Sequence, residues 1–228
     1  MRIKIAVLTA VLACGAGLQA KEDDPPKRLD AAADLLADMM KASDKGVPQD
    51  LMNQSQCVVL IPGLKKGAFI IGAKFGRGFA FCRKAGGTGW TAPAAMRVEG
   101  GSVGFQIGAS EQDVLLLVRN ESGMKKLISD KFTIGGEATA AAGPVGRDLT
   151  AQTDAQLRAE ILSYSRSRGL FAGLSLQGAT MRGDDDVNKS LYGREITNKE
   201  ILTTAVPAPA AAARVETLLN KNSSRKAK

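Results

Sequence analysis

The chain has 228 residues, of which 44% are hydrophobic, 24% charged and 4% aromatic. Its 31 Lys and Arg residues outnumber its 23 Asp and Glu residues, which gives a formal net charge of +8. This composition is that of a globular protein and argues against a collagen, a coiled coil or a wholly disordered chain. Histidine is absent, which excludes Ser-His-Asp triads, Cys-His dyads and histidine-ligated zinc sites.

Residues 1–20 have the pattern of an export signal. Arg2 and Lys4 precede an apolar run from residue 5 to residue 13, and small residues then lead to Ala20. The apolar run is too short to span a membrane, because a spanning helix needs about 20 residues. We therefore expect cleavage after Ala20 and a periplasmic, exported protein. The alternative is a lipoprotein signal in which Cys14 is acylated.

Cleavage would leave two cysteines, Cys57 and Cys82, in a compartment that tolerates disulfides. Each lies in an apolar run, so a disulfide and a pair of buried thiols both remain open. Their spacing fits no zinc motif. We predict no metal and no cofactor.

The first predicted helix covers residues 28–43. Its apolar residues, among them Leu29, Leu36 and Met39, recur at helical spacing, and Gly46 and Pro48 follow its end. Its polar face is mostly acidic, which favours packing on the core over a membrane-surface helix, since such helices carry Lys and Arg there. Further helices are predicted after Pro48, from Ser122 as the cap to residue 130, from Asn198 with Thr197 as the cap, and through Leu219.

Short apolar runs separated by glycine-containing turns predict strands between Cys57 and Val118. The predicted strands are 57–61, 68–75, 78–83, 102–109 and 114–118, with turns at 62–63, 76–78, 86–89 and 111–113. Connections this short favour antiparallel neighbours. Another strand pair is predicted at 161–164 and 170–180.

Glycines also recur inside these strands. Gly72 and Gly76 fall on one face of a strand, and Gly104 and Gly108 fall on one face of another. Glycine inside a strand lowers stability unless another element approaches closely or the strand bends sharply. We therefore predict an α+β fold in which a glycine-rich, mostly antiparallel curled sheet or partial barrel is packed by peripheral helices.

The motif content argues against catalysis. No GxGxxG sequence stands between a predicted strand and helix, and no GxxxxGK[ST] phosphate loop is present. Without histidine, the remaining candidates are carboxylate pairs or a Ser-Lys arrangement, and the sequence has a motif for neither. We predict that the protein is not an enzyme, with a histidine-free hydrolase as the alternative.

Several separated blocks resemble one family. The stretch ILSYSRSRGLFAGLSL at Ile161–Leu176 is similar to the SYLF domain, as are four further blocks: Trp90-x-x-Pro93, Gly101–Gly108, Ala142–Arg147 and Asn188-x-x-x-Tyr192-Gly193. The resemblance covers residues 28–205, between the signal at 1–20 and a Pro- and Ala-rich link, short helix and basic tail at 206–228. Two positions depart from the family pattern: Glu137 stands where aspartate is frequent, and Gln177 stands where glutamate is frequent.

The resemblance implies binding rather than catalysis. Eukaryotic SYLF domains bind phosphoinositide-containing membranes, some fungal members bind actin filaments, and bacterial members resemble exported lipid-binding proteins of the cell envelope. For an exported chain we therefore expect anionic phospholipid as the partner, and neither actin nor nucleic acid. An envelope scaffold that binds another protein is the alternative, and the oligomeric state is left open.

The charge pattern identifies the candidate residues. No acidic residue occurs from Leu51 to Val98, and none from Ile161 to Gly183. We predict that cations in turns of these segments form a basic rim, flanked by an exposed Leu64, that binds anionic lipid. The candidates are Lys65, Lys66, Arg77, Arg83, Lys84, Arg166 and Arg168. The alternatives are a solvated basic surface and, for Arg166 and Arg168, pairing with internal acids.

The acidic stretch from Asp184 to Glu195 has the oxygen-ligand spacing of a calcium loop. Lys189 stands where such loops need glycine for their sharp turn, and a strand-like segment precedes the stretch in place of a helix. A polar turn that caps the domain is therefore the favoured interpretation.

Overall fold

The computed structural model describes residues 24–41, 46–69, 71–86, 88–103, 108–144, 156, 158–167, 170–173 and 176–223. The predicted export signal, including Cys14, lies outside these residues, as does Arg168. Within the described residues, no helix has the length and apolar character needed to cross a membrane.

Six α-helices surround the sheet in the described part of the chain. Their bounds are α1 Pro25–Lys41, α2 Gln49–Gln54, α3 Glu121–Leu127, α4 Asp185–Tyr192, α5 Asn198–Thr203 and α6 Ala213–Asn222, with a short 3-10 helix at Ala210–Ala212 before α6. Thr197 caps α5 as predicted. Asn120, and not Ser122, caps α3, because the Asn120 side chain accepts from the Gly123 amide.

In the described part of the chain, nine strands form one sheet. They are β1 Cys57–Phe69, β2 Ile71–Cys82, β3 Ala94–Val103, β4 Gly108–Val118, β5 Lys131–Thr133, β6 Ala140–Ala142, β7 Ile161–Ser167, β8 Leu170–Gly173 and β9 Thr180–Gly183. The spatial order is β5-β9-β3-β2-β1-β4-β7-β6, with β8 paired to β7. Among these pairs only β6–β7 is parallel. The predicted α+β fold with a mostly antiparallel curled sheet is confirmed.

Three predicted turns are wrong, because residues 62–63, 76–78 and 111–113 lie inside long strands. Pro62 and Gly63 form a β-bulge within β1. The register between β1 and β4 shifts there, between Ile61 and Leu64. Gly63 adopts φ +64 there, and its amide donates to Asp113 Oδ1 at 3.0 Å. A proline and a glycine in sequence therefore mark a bulge as readily as a chain reversal.

The same bulge explains the glycines of β2. A Cβ atom at Gly78 would lie 2.0 Å from the Leu60 carbonyl oxygen, and one at Gly76 would lie 2.6 Å from Leu64 Cδ1. The close approach predicted from the glycine pattern is thus confirmed at Gly76, whereas Gly104 of the second predicted pair lies outside the described residues. The approaching element is the bulged strand β1 itself.

Among the described residues, the sheet separates two hydrophobic cores. One core lies under α1, α2, α4 and α6 and contains Leu29, Leu36, Phe79 and Phe81. The other lies on the opposite face and contains Val59, Met96 and further side chains from α3, α5 and β5. The apolar face of α1 therefore packs on the core, as predicted, and is not the face of a membrane-surface helix.

Cys57 and Cys82 are direct partners in the β1–β2 ladder. Their sulfur atoms form a disulfide, with a Cα–Cα separation of 4.0 Å. The register brings the first residue of β1 against the last residue of β2, which decides between the two alternatives for these cysteines.

The blocks that resemble the SYLF domain include several core contacts. Tyr164 packs so closely on Gly143 that a Cβ atom there would lie 2.1 Å from Tyr164 Cζ. The Tyr192 hydroxyl donates to the Pro93 carbonyl at 2.7 Å. These motif residues specify packing and hydrogen bonding inside the domain.

Candidate functional site

At one end of the sheet, the four central strands β1–β4 extend beyond the strands β9 and β7 that flank them. β9 pairs with β3 only from Met96 to Glu99, and β7 pairs with β4 only from Asp113 to Val118. The ends of β1–β4 past these residues therefore have no outer strand neighbour among the described residues. We call this part the open end of the sheet: residues 65–69, 71–75, 100–103 and 108–111.

Three lysines lie at the open end. Lys65 is exposed, while Lys66 and Lys74 are partly buried. Among the residues that the structure describes, no carboxylate forms an ion pair with any of the three. The acid of the open end is Glu111, whose carboxylate lies against Gly63. Three lysines against one glutamate leave this end with a surplus of two positive charges.

Lys66 and Lys74 are direct cross-strand partners. Burial lowers the pKa of Lys66, and the charge of Lys74 lowers it further. Like charges at opposed positions of a ladder destabilise the pair. An anion bound between them would relieve both the repulsion and the incomplete solvation, so this pair is suited to receive a phosphate-bearing ligand.

Arg77 lies in β2 rather than in a turn, and much of its charge is used inside the protein. Its Nε lies 3.1 Å from Oδ2 of Asp184, whose side chain is 1% exposed, and Arg97 Nη2 lies 3.0 Å from the other oxygen. The Arg77 guanidinium also lies 5.7 Å from the centroid of the Phe75 ring. Burial and the nearby Arg77 lower the pKa of Arg28 on α1. Arg77 therefore connects an internal ionic cluster to the open end.

Arg166 forms internal ion pairs, the alternative left open for it. Its guanidinium pairs with Asp38 of α1 and, at 2.6 Å from Nη2, with Oδ2 of Asp113 on β4. These two carboxylates raise the pKa of Arg166, with the hydrogen bond to Asp113 the largest cause. Arg166 thus ties α1 to the sheet.

Arg83 is 7% exposed and serves as an internal clamp. Its guanidinium lies 3.8 Å from the centroid of the Trp90 ring. It donates to the Ser55 carbonyl at 3.3 Å and to the Ser223 carbonyl at 2.5 Å. This geometry joins the sheet to the segment after α2 and to the end of α6.

The predicted single basic rim is wrong in its geometry. Lys65 and Lys66 lie on β1 at the open end, whereas the exposed Lys84 follows β2 at the other end of the hairpin. The eight residue-to-residue steps from Lys74 to Cys82 alone span about 26 Å in an extended strand. Leu64, predicted to be exposed beside the rim, is fully buried because the β1 bulge turns it inward.

The segment 184–195 is neither a polar turn nor a calcium loop, because Asp185–Tyr192 forms helix α4. Asn188, in the place of a loop ligand, accepts from the Ala95 amide at 2.8 Å and donates to Asn198 Oδ1 at 2.6 Å. The described residues contain no cluster of three or more acidic, cysteine or histidine side chains suited to a metal ion.

Sequence reasoning left Lys74 and Phe75 out of the candidate site. The side chain of Phe75 is 46% exposed and lies opposite Lys65. The signal was the alternation of large and small side chains from Phe75 to Phe81, which is typical of a continuous strand. The predicted turn at 76–78 interrupted that alternation and concealed it.

Sequence reasoning also missed a buried carboxylate, Glu160. Burial acts to raise its pKa, but hydrogen bonds from Lys126, Ser122 and the Thr139 amide outweigh it and lower the pKa to about 2. Lys126 Nζ lies 2.8 Å from Glu160 Oε2. The network joins α3 to the start of β7 and is structural.

The two family departures lie at the surface. Glu137 keeps a carboxylate, which accepts from the Thr133 amide at 2.8 Å. Gln177 is exposed beside Gly135. Neither side chain lies at the open end.

Comparison with known proteins gives a consistent family match. The family model described as "Ysc84: Las17-binding protein actin regulator" matches residues 99–222. An SH3 domain-containing protein of Schizosaccharomyces pombe is 34% identical over 177 residues, which cover 76% of this chain and 41% of that protein. SH3 domain-containing YSC84-like protein 1 of Rattus norvegicus is 31% identical over 178 residues, 78% of this chain and 52% of that protein.

LAS seventeen-binding protein 3 of Saccharomyces cerevisiae is 30% identical over 188 residues, covering 79% of this chain and 40% of that protein. The chain thus spans about half the length of the curated relatives it matches, or less. The family description names binding and regulation, not a reaction. It also names actin, so the expectation that actin is no partner has no support from these matches.

Proposed function

Since this chain belongs to the Ysc84 family, which includes the SYLF domain that its motifs resemble, we propose that it is a non-catalytic binding protein whose ligand is the anionic phospholipid of a bacterial cell envelope. The predicted export signal is the basis for the envelope. The observation that carries the ligand is the opposed Lys66–Lys74 pair at the open end, together with Lys65, without an ion-paired carboxylate among the described residues.

The energetics are sufficient for measurable binding. Each Lys or Arg near an anionic surface contributes on the order of 1 kcal/mol, so three lysines contribute about 3 kcal/mol, or more than 100-fold in affinity. The attraction is screened over a Debye length of about 8 Å at physiological ionic strength. Binding should therefore be strong at low salt and weak at high salt.

The other predicted cations enter this proposal differently. Arg166 is held by two carboxylates and Arg83 is buried, so both act inside the fold. Arg77 contributes to the proposed surface indirectly, because its guanidinium packs on the ring of Phe75. Lys84 lies at the opposite end of the sheet and is not part of the proposed surface.

Vesicle co-sedimentation tests the proposal. The purified chain is mixed with phosphatidylglycerol, cardiolipin or phosphatidylcholine vesicles at low and high salt. We expect salt-sensitive binding to the two anionic lipids. We also expect a loss of more than about 30-fold in the Lys65→Glu/Lys66→Glu variant, because each substitution removes an attractive charge and adds a repulsive one. Equal binding to phosphatidylcholine, or no binding to any vesicle, would contradict the proposal.

Matched controls separate the site from net charge. Lys131→Glu/Lys199→Glu makes the same change in net charge at exposed lysines outside the open end, and should leave most of the binding intact. Lys84→Glu should do so as well. An equal loss in either control would indicate a response to overall charge.

A protein partner is the second candidate, because the relatives include LAS seventeen-binding proteins and the family description names actin. For an exported chain this would be a scaffold in the envelope. Co-sedimentation with actin filaments and affinity capture with the chain as bait address it. Capture that survives Lys65→Glu/Lys66→Glu, with no vesicle binding, would favour this candidate.

A further inference from the structure

The open end carries cations on both faces of the sheet. Lys65 shares a face with Phe79 and Phe81, the face that packs under α1, because alternate residues of a strand point the same way and Lys65 pairs with Phe75. Lys66 and Lys74 lie on the opposite face. A flat surface laid against either face alone would therefore meet only part of the charge.

Exposed apolar side chains also lie on both faces of the sheet. Among the described residues, the large hydrophobic side chains that are exposed are Phe75, at 46%, and Leu170, at 75%. Phe75 lies on the α1 face. Leu170 pairs with Ser167 of β7, which alternates with the α1-facing Arg166, so Leu170 lies on the opposite face.

Both apolar residues belong to the same end of the molecule. Phe75 pairs with Lys65, and Lys65 pairs with Glu111 of β4. Asp113 of β4 pairs with Arg166, so Ser167 and its partner Leu170 lie one row closer to the open end, level with position 112. Phe75 and Leu170 are therefore about one row apart along the strands.

The sequence beyond that row contains no acidic residue. Positions 66–69, 71–74, 100–103 and 108–110 hold two lysines and otherwise apolar or small uncharged residues. β1 ends in Phe69, β2 begins with Ile71 and β3 ends in Val103. Apart from Lys66 and Lys74, these strand ends are uncharged, which is the composition of a segment that enters the headgroup region of a membrane.

We infer that the protein docks end-on, with the strands of the open end directed into an anionic bilayer and with Phe75 and Leu170 as apolar anchors on the two faces of the sheet. This inference rests on the proposed function and specifies its geometry. Only a surface across the strand ends meets Lys65, Lys66, Lys74 and both apolar side chains together. The lysines supply the salt-sensitive part of binding and the two anchors a salt-resistant part.

Two tryptophan variants of the full chain test the orientation. Phe75→Trp and Leu170→Trp are each mixed with vesicles containing brominated phosphatidylglycerol. The native Trp90 is 3% exposed and provides a constant background. End-on docking predicts a blue shift and quenching in both variants, and none at Thr203→Trp, an exposed control on α5.

Quenching in only one of the two variants indicates docking on one face and overturns the inference while leaving the proposed function intact. Quenching in neither, with vesicle binding retained, overturns it as well. If the unmodified chain binds no vesicle, the proposed function fails first and the inference fails with it, which points to a protein partner.

Polar substitution tests the anchors independently. Phe75→Ser/Leu170→Ser should reduce binding to phosphatidylglycerol vesicles at high salt by about tenfold, because two apolar side chains no longer leave water. The Phe75→Leu/Leu170→Phe variant keeps both positions apolar and should bind these vesicles at high salt as the unmodified chain does. Unchanged binding at high salt in the serine variant, with native circular dichroism, would overturn the role of the anchors.

Discussion

Lys66 of β1 faces Lys74 of β2 directly across the ladder, and no described carboxylate forms an ion pair with either side chain. Burial, and then the charge of Lys74, lowers the pKa of Lys66. Selection for stability alone would favour an oppositely charged or uncharged partner. The pair therefore lowers stability at a position where it provides a concentrated positive charge.

Replacement of one lysine should stabilise the fold. Lys74→Thr removes the repulsion and should raise the free energy of unfolding by a few tenths to about 1 kcal/mol in urea titrations at low salt. Lys65→Thr makes the same change in strand propensity at a position whose cross-strand partners are Phe75 and Glu111, so it should not raise the free energy of unfolding and serves as the control. The difference between the two should shrink at high salt. Equal effects at low salt would contradict the repulsion.

The Arg83 clamp should be essential to the attachment of the last helix. Arg83→Lys removes the guanidinium from Trp90 and from the Ser223 carbonyl, and should cost about 2–3 kcal/mol, because buried acceptors lose a charged donor. Hydrogen exchange should increase first at 215–223, and Trp90 emission should shift. Arg194→Lys, at an exposed ion pair, should change stability by less than about 0.5 kcal/mol. Unaltered exchange at 215–223 would refute the clamp.

Acid should destabilise the protein through Glu160. Hydrogen bonds lower its folded-state pKa from 4.5 to about 2 against the effect of burial. The carboxylate therefore contributes stability that is complete above the unfolded pKa and is lost as the pH falls from about 4.5 to about 2. The contribution is on the order of 3 kcal/mol. Glu160→Gln should flatten the pH dependence of the unfolding free energy in this window.

Glu121→Gln is the matched control for that titration. Glu121 is exposed and pairs with Lys125 one turn along α3, so its loss should leave the pH dependence almost unchanged. A steep acid dependence that persists in Glu160→Gln would assign the effect to other carboxylates.

The disulfide should stabilise the β1–β2 hairpin. It closes a loop with a sequence separation of 25 residues, for which loss of chain entropy in the unfolded state predicts about 3.5 kcal/mol. Reductant should lower Tm in the unmodified chain and have no effect on Cys57→Ala/Cys82→Ala. Alkylation without reductant should leave both cysteines unmodified. Modification of both would disprove the bond.

The sequence alone predicts features that arise from local periodicity. The apolar spacing of Leu29, Leu36 and Met39 predicts α1 and its buried face, because helical geometry depends only on residues three and four apart. The glycines of β2 predict a close approach. The motif around Tyr164 is sufficient to identify the family.

Features that depend on the register between distant strands come only from the tertiary structure. Pro62 and Gly63 are compatible with a turn or a bulge, and packing of Leu64 into the core decides for the bulge. That choice extends β1 and β2 and sets Lys66 opposite Lys74. Residues eight positions apart come into direct contact through hairpin pairing, which no periodicity in the sequence encodes. The pairing of each cation also depends on the tertiary structure. Arg166 forms an ion pair with Asp38 of α1 because the sheet places β7 beside that helix.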